Sequence, residues 1–150
     1  MNRLLTPTPA RVNLALLFLR VIAGLIFLMH GQQKVFDYGL SGVAQSFGQM
    51  GVPMAGVMGP FIALLELIGG AALIVGALTP VFAALLACDM FGAIVLVHLK
   101  AGFFMPQGFE FALSLLGASL ALALAGAGEY SVDGVMGWRR PQLSRGIERR

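Results

Sequence analysis

The chain has 150 residues, of which 58% are hydrophobic, only 11% are charged and 20 are glycine. Ordinary soluble domains carry about 25% charged residues, so this composition, with a mean hydropathy of +0.86, excludes a disordered chain and most soluble folds. It also excludes a nucleic-acid binder built on basic patches, because the net charge of +3 comes mainly from arginines in the terminal segments. We therefore predict an integral membrane protein with a single domain.

Four apolar runs follow one another along the chain, and each is close to the roughly 20 residues that cross the hydrocarbon core of a bilayer. They lie at residues 12–30, 59–78, 81–99 and 109–125. Thr79 and Pro80 separate the second run from the third and predict a tight turn, since Pro suits the first turn of a helix but not its interior. The predicted fold class is all-α: a membrane four-helix bundle in one domain over residues 1–150, with tails at 1–11 and 126–150.

Positive charges are distributed unevenly around these runs. Seven of the ten Lys and Arg residues lie in the tails, namely Arg3, Arg11, Arg139, Arg140, Arg145, Arg149 and Arg150. The loops on the opposite side contain only Lys34 and Lys100. Because Lys and Arg accumulate in cytoplasmic loops, both termini are predicted to be cytoplasmic, with the chain in a cell inner membrane.

Two connecting segments are rich in apolar side chains although they lie between the runs. Residues 35–57 are Gly-rich yet contain Phe36, Tyr38 and Phe47, and residues 102–109 read GFFMPQGF. Side chains of this kind favour the boundary between water and lipid. Both segments are therefore predicted to lie in the membrane interface.

Each of the first three runs carries one ionisable residue near its middle: Arg20, Glu66 and Asp89. Such a residue costs about 2.5–3.5 kcal/mol at the centre of a membrane helix, so a partner is expected. Counting about 1.5 Å per residue from the predicted cytoplasmic ends puts all three at a similar depth, which predicts that Arg20 pairs with Glu66, Asp89 or both. Two carboxylates and one guanidinium leave an excess negative charge, so either one carboxyl is protonated or another cation or ligand completes the site.

Two interpretations of this charge network remain open. It is either a buried ion-pair network that fixes helix order and register, or a site that holds and releases protons within the membrane. In the second case Glu66 and Asp89 are the candidate catalytic proton carriers, and Arg20 holds one of them ionised.

A second polar group is predicted at the opposite ends of the helices. His30 and Lys34 end the first run, His98 ends the third, and Glu110 begins the fourth. Two histidines on two helices suggest a haem, and together with Glu110 they suggest a metal. Both readings are disfavoured, because the chain has no CxxCH motif and a histidine at a helix end usually meets the interface. No metal site is predicted.

Small residues and the single cysteine have simpler interpretations. Gly69, Gly70, Gly76 and Ala77 are predicted to line one side of the second run and to let helices pack closely. Cys88 is the single cysteine, which excludes an internal disulfide and a multi-thiolate metal site. It is predicted to be a small buried apolar residue rather than a nucleophile.

Three sequence segments carry a resemblance to a known family. They are LRVIAGLIFLMHGQQK, MGVPMAGVMGPFIALLELIGGAALIVGALTP and the ending AGAGEYSVD, and in this order they resemble the DoxX family of small four-helix membrane proteins. Ala127 is a small departure from the closing motif. The resemblance implies a bacterial or archaeal inner-membrane protein. Some members are linked to quinone-dependent sulfur oxidation, others look like membrane anchors of oxidative-stress or thiol-redox assemblies, and many are classed as oxidoreductases without an assigned substrate.

We therefore predict a quinone-associated oxidoreductase subunit, in which a quinone enters near His30, Lys34, His98 and Glu110. The chain contains no nucleotide motif, no Fe–S cysteine set and no covalent haem motif, so electrons come from a bound small molecule or a redox partner protein. The expected partners are the lipid bilayer, that redox protein and, as an open alternative, a second copy of the chain. Two other functions stay open: a non-catalytic scaffold that docks a redox enzyme, and a permeation unit for protons or small molecules.

Overall fold

The structure, a computed structural model, describes residues 7–137. Within this range the chain forms helices and turns and no strand, so the all-α prediction is confirmed. The α-helices are α1 (Pro9–Gln32), α2 (Gly39–Gln49), α3 (Ala55–Val75), α4 (Thr79–Ala93), α5 (Glu110–Ala125) and the short α6 (Val132–Val135). The chain continues from α1 and from α4 into π-helical turns at Gln33–Asp37 and Ile94–His98, and a 3-10 turn follows at Leu99–Ala101.

Three continuous helical segments are long and apolar enough to cross a membrane: Pro9–Asp37, Ala55–Val75 and Thr79–Ala101. The fourth predicted span, α5, has 16 residues, fewer than the roughly 20 that a typical crossing requires. Its apolar sequence agrees with the prediction, but the count of four crossings stays a prediction.

The outer surface of the bundle is as apolar as its interior. Along α1, the side chains of Phe18, Ile22, Leu25 and Met29 repeat at helical spacing and are all more than half exposed. The core is formed by fully buried side chains from different helices: Phe27, Leu73, Leu86 and Leu122. A helix that is apolar on its outer face as well as its inner face is typical of contact with lipid.

Glycines bring the backbones of α1 and α3 into direct contact. A Cβ at Gly24 would lie 2.7 Å from the carbonyl oxygen of Gly70, and a Cβ at Gly31 would lie 2.6 Å from the Cα of Leu67. Since real side chains do not approach so closely, these contacts fix the register of the two helices. Close packing by small residues is thus confirmed for Gly70.

The other small residues of α3 do not share its face. Gly69 faces α4, where a Cβ would lie 3.2 Å from the Leu86 side chain. Gly76 ends α3 with φ of +71° and faces Ser131 and Arg20. The stripe predicted on one side of the second run is therefore divided among several neighbours.

The turn between α3 and α4 is tight, as predicted, but it lies at Gly76–Leu78, and Thr79 and Pro80 are the first residues of α4. Asp133 closes this turn: its carboxylate accepts hydrogen bonds from the backbone N–H groups of Leu78 (2.7 Å) and Thr79 (2.8 Å). Its own N–H donates to the carbonyl of Gly76 at 2.9 Å. A carboxylate on the first N–H groups of a helix is a stabilising cap.

The chain after α5 is packed against the bundle. Ala127 and Ser131 are buried, and the N–H of Glu129 donates to Asn13 Oδ1 at 3.2 Å. Residues 126–137 of the predicted tail are therefore packed on the bundle. Residues 138–150, which carry five of the arginines used for the orientation, lie outside the described residues.

The first connecting segment contains a helix, α2, that lies against the start of α3. Val43 is buried, and a Cβ at Gly59 would lie 3.0 Å from Ala44 Cα. Phe36 and Tyr38 before it are 70% and 60% exposed, as expected for interfacial side chains. The interfacial location itself stays a prediction.

Candidate functional site

Lys34 and Glu66 form an ion pair inside the bundle. The Lys34 Nζ donates to Glu66 Oε2, and the two side chains are 21% and 4% exposed. The α1–α3 register explains the pairing, since Gly31 lies against Glu66 and Leu67, and Lys34 follows one helical turn later. A buried carboxylate thus receives a charged partner, which the low-dielectric interior requires.

Asp89, on α4, lies beside this pair. Its carboxyl is close enough to interact with the charges of Glu66 and Lys34. Its Oδ2 is buried and receives no hydrogen bond from the residues that the structure describes. Lys34, Glu66 and Asp89, which we call the carboxyl cluster, thus place two carboxyls beside one cation.

Arg20 belongs to a different part of the molecule, and its predicted pairing with Glu66 or Asp89 is wrong. Its guanidinium donates to the carbonyl oxygens of Leu73 (3.2 Å) and Ile74 (2.6 Å) in the last turn of α3, and to that of Tyr130. At about 1.5 Å per residue, Leu73 lies about 10 Å from Glu66 along α3. Arg20 therefore adds to the Gly76 N–H as a donor to Leu73, satisfies the Ile74 carbonyl near the end of α3 and ties the segment after α5 to the bundle.

A cavity of about 200 Å³ lies between α2, α3 and α4, beside the carboxyl cluster. Its lining is apolar apart from Asp89 and includes Phe61, Leu85 and Leu96, which are 49%, 42% and 45% exposed. Partly exposed lining residues place its opening on the lipid-facing surface of the bundle. We call this space the lateral cavity.

The polar group predicted at the opposite helix ends does not form one site. His30 is exposed and packs on Phe111 at 6.1 Å between ring centroids. His98 Nδ1 lies 2.9 Å from the Gln107 carbonyl oxygen, and Glu110 accepts a hydrogen bond from the N–H of Met105 at 2.7 Å. His98 and Glu110 therefore hold the loop before α5 in place.

The structure also shows the position of the single cysteine and the grouping of potential metal ligands. Cys88 is exposed on α4 and lines the lateral cavity, so the prediction of a buried cysteine is wrong. Among residues 7–137, no three His, Cys, Asp or Glu side chains are grouped to hold a metal ion.

Lys34 lies in the carboxyl cluster and not in the polar group predicted at the opposite helix ends. The first apolar run ends at His30, but the helical segment continues to Asp37, so Lys34 is carried toward α3 instead of lying in a loop. The role of Asp133 was missed entirely, although the resemblance included it in the motif YSVD. The usable signal was a Ser and an Asp within five residues after Gly128, since Gly, Ser and Asp are typical of turns and caps.

Comparison with known proteins agrees with this architecture. A family model described as DoxX matches residues 15–99, which is more than half of the chain. The chain belongs to the DoxX family. The matched region of this DoxX protein contains Arg20 and all three residues of the carboxyl cluster, whereas α5 lies beyond it.

Named relatives are similar over most of their length. The DoxX protein is 40% identical over 117 residues to a protein of Bacillus subtilis (strain 168) named "Putative oxidoreductase CatD", covering 78% of this chain and 83% of the relative. It is 32% identical over 127 residues to "Inner membrane protein YqjF" of Escherichia coli (strain K12), covering 81% and 91%. It is 33% identical over 126 residues to "Uncharacterized membrane protein Rv3486" of Mycobacterium tuberculosis, covering 77% of each chain. No solved structure matches the chain significantly.

Proposed function

We propose that this DoxX protein is a quinone-associated oxidoreductase subunit and that the lateral cavity receives the quinone head group. One observation carries the proposal: an apolar cavity open to lipid has Asp89 as the one carboxyl of its lining, and Asp89 Oδ2 has no donor among the described residues. A relative with "oxidoreductase" in its name supports the reaction class.

The lateral cavity fits a quinone ring by size and by chemistry. At about 200 Å³ it is smaller than the pockets of about 300–1,000 Å³ that enclose drug-sized ligands. It therefore suits a single ring, with the isoprenoid tail left in the surrounding lipid. A carboxyl at the end of an apolar pocket supplies the polar contact that orients a ring oxygen. This location differs from the predicted entry near His30, His98 and Glu110, whose side chains contact separate partners.

A quinone supplies two-electron redox chemistry that is coupled to protons. In this proposal Asp89 donates or accepts the proton at the ring oxygen, because it is the carboxyl that lines the cavity. Glu66 exchanges that proton with Asp89, and Lys34 stabilises Glu66 as a carboxylate. The electrons come from a redox partner protein or a bound small molecule, since the chain has no motif for an electron carrier.

We further propose that the protein crosses an inner membrane four times, with both termini in the cytoplasm. The 16 residues of α5 span about 24 Å, and the loop before it carries Phe103 and Phe104, which are 45% and 77% exposed. Exposed aromatic side chains at a helix end favour the membrane boundary and lengthen the apolar segment. The name of the Escherichia coli relative supports the inner membrane.

The experiment that tests quinone binding is a titration of the protein in lipid nanodiscs with decylubiquinone, with the bound quinone extracted and quantified. Asp89→Leu is expected to weaken binding by about 10-fold, the effect of losing one hydrogen bond of about 1.4 kcal/mol. Asp89→Asn keeps a polar group of the same shape and is expected to retain binding.

Gly92 provides a steric test of the same cavity with a matched control. It lines the cavity, and a Cβ added there meets no atom within 4 Å. Gly92→Leu is therefore expected to abolish binding by filling the space, and Gly92→Ala to preserve it. Quinone binding that is unchanged in both Gly92→Leu and Asp89→Leu would contradict the proposal. A protein that binds no quinone but co-purifies with a redox enzyme would instead support a scaffold.

A further inference from the structure

Beyond the cavity itself, the structure indicates which residue controls the proton that the cavity uses. Lys34 lies in the π-helical turn that ends the α1 segment, outside the apolar run in which the intramembrane charges are found. It is nevertheless the cation that contacts Glu66, across a sequence separation of 32 residues. Turns of this kind are frequent at functional sites.

The charges around Asp89 can be counted element by element. Glu66 of α3 and Lys34 are the charged groups that face it, and α2 contains no ionisable side chain. On α4 its neighbour is Cys88, which is exposed. Of the more distant groups, Glu110 of α5 is bonded to the Met105 N–H, and Arg20 of α1 binds the end of α3.

This count leaves the carboxyl pair with one positive charge. Lys34 neutralises one carboxylate, and a second unpaired carboxylate in a largely apolar surrounding is costly. The arrangement of least cost has one ionised carboxyl, Glu66, against Lys34 and one protonated carboxyl, Asp89, facing the cavity.

We propose that Lys34 is the positioning residue of this site: by holding Glu66 ionised, it leaves one exchangeable proton on the carboxyl pair, at the member that lines the lateral cavity. The inference rests on the proposed function for its use in quinone chemistry. The protonation pattern is inferred from the Lys34–Glu66 ion pair and the unpartnered Asp89 Oδ2, and it does not require a quinone to be bound.

The test is infrared spectroscopy of the purified full-length protein in nanodiscs, recorded at neutral pH without quinone, at the C=O stretch of protonated carboxyls. The wild type is expected to show one such band, which disappears in Asp89→Asn. In Lys34→Met, Glu66 loses its counter-charge and takes up a proton, so the band is expected to grow about twofold. Lys34→Arg keeps the charge and is expected to restore the wild-type amplitude.

Lys100→Met is the matched control, since Lys100 is an exposed lysine in the 3-10 turn that follows α4. It is expected to leave the band unchanged. A band of equal size in the wild type and Lys34→Met would overturn the inference, as would a wild type without a protonated carboxyl, a result that stands even if Lys34→Met does not fold. Failure of quinone binding with the expected spectra would count against the proposed function alone.

Discussion

At the scale of single residues, Arg20 and Lys34 show how position on one helical segment decides what a cation does. Both charges enter the bundle from the α1 segment, but Arg20 meets backbone carbonyls at the end of α3 and Lys34 meets a carboxylate at its middle. The planar guanidinium has several donors in a fixed fork, which suits three carbonyls at once, whereas the compact ammonium suits one carboxylate. Arg20 thus binds backbone at the end of α3, and Lys34 contacts the carboxyl cluster of the proposed site.

The Arg20 contacts predict that substitution of Arg20 lowers the stability of the protein without changing its affinity for a quinone. Arg20→Leu removes the donor from the part-buried carbonyls of Ile74 and Tyr130, whereas the Leu73 carbonyl keeps the N–H of Gly76. Each polar group left unsatisfied inside the protein costs about 1–3 kcal/mol. We expect a clear loss of thermal stability in detergent together with unchanged decylubiquinone affinity of the folded protein. Arg11→Leu, at an exposed cation in the first turn of α1, is the control and should leave the melting temperature nearly unchanged. Lost affinity with normal stability would return Arg20 to the site.

At the scale of elements, the contact between α1 and α3 determines the site. It is formed by glycine backbones, and it places Gly31 against Leu67 and Gly70 against Leu28. Without a hydrophobic driving force between helices in lipid, such close packing is a main source of their association. The same contact brings Lys34 next to Glu66, so packing and chemistry depend on one interface.

A single methyl group tests this interface. In Gly70→Ala the new Cβ would lie 2.7 Å from the Gly24 carbonyl oxygen and 2.8 Å from Leu28 Cα, both backbone atoms that a rotamer change does not relieve. Overpacking of this kind costs about 1–3 kcal/mol, which thermal unfolding in detergent measures. In Gly117→Ala the Cβ meets no atom within 4 Å, and the protein is expected to be stabilised by about 0.5–1 kcal/mol, since Ala favours a helix interior more than Gly. Equal stability of both variants would show that the α1–α3 contact is not close.

At the scale of the whole molecule, the number of crossings and the orientation depend on α5. Antiparallel packing of α5 on α4 returns the chain to the end of the bundle where Asp133 caps α4 and Arg20 holds Tyr130. A chain with four crossings therefore has both ends on one side, and we propose from the Arg-rich tails that this side is the cytoplasm. Three crossings would place the two ends on opposite sides.

Reporter fusions distinguish these topologies. Green fluorescent protein fused after Arg150 is expected to fluoresce, and alkaline phosphatase fused there is expected to be inactive, because the C-terminus is predicted to be cytoplasmic. Alkaline phosphatase inserted at Gln107, in the loop before α5, is expected to be active. An active phosphatase at both positions would show that α5 does not cross the membrane.

Much of the architecture was accessible from the sequence. Composition and apolar runs predicted a helical membrane protein, and the turn near Thr79 followed from the local chemistry of Pro80. The carboxyl pair was also anticipated, because an ionisable residue in an apolar run must be buried in protein or removed from lipid. These properties depend on residues that are close together in the sequence, so they can be predicted without knowing the tertiary structure.

Tertiary structure decided which charge meets which. The span boundaries expected from the sequence put Arg20, Glu66 and Asp89 at a similar depth in the membrane. In the structure, α1 begins at Pro9, and the contact between Gly31 and Leu67 fixes its position along α3. An error of a few residues at about 1.5 Å each exceeds the reach of an ion pair, so the guanidinium was assigned to the wrong partner. The sequence by itself determined that the ionisable side chains of the apolar runs are buried in the bundle. It also determined that the two carboxyls, Glu66 and Asp89, outnumber the cations available to them. Only the packing of the helices, set by backbone contacts between distant glycines, decided that Lys34 supplies the counter-charge and that Asp89 faces the cavity.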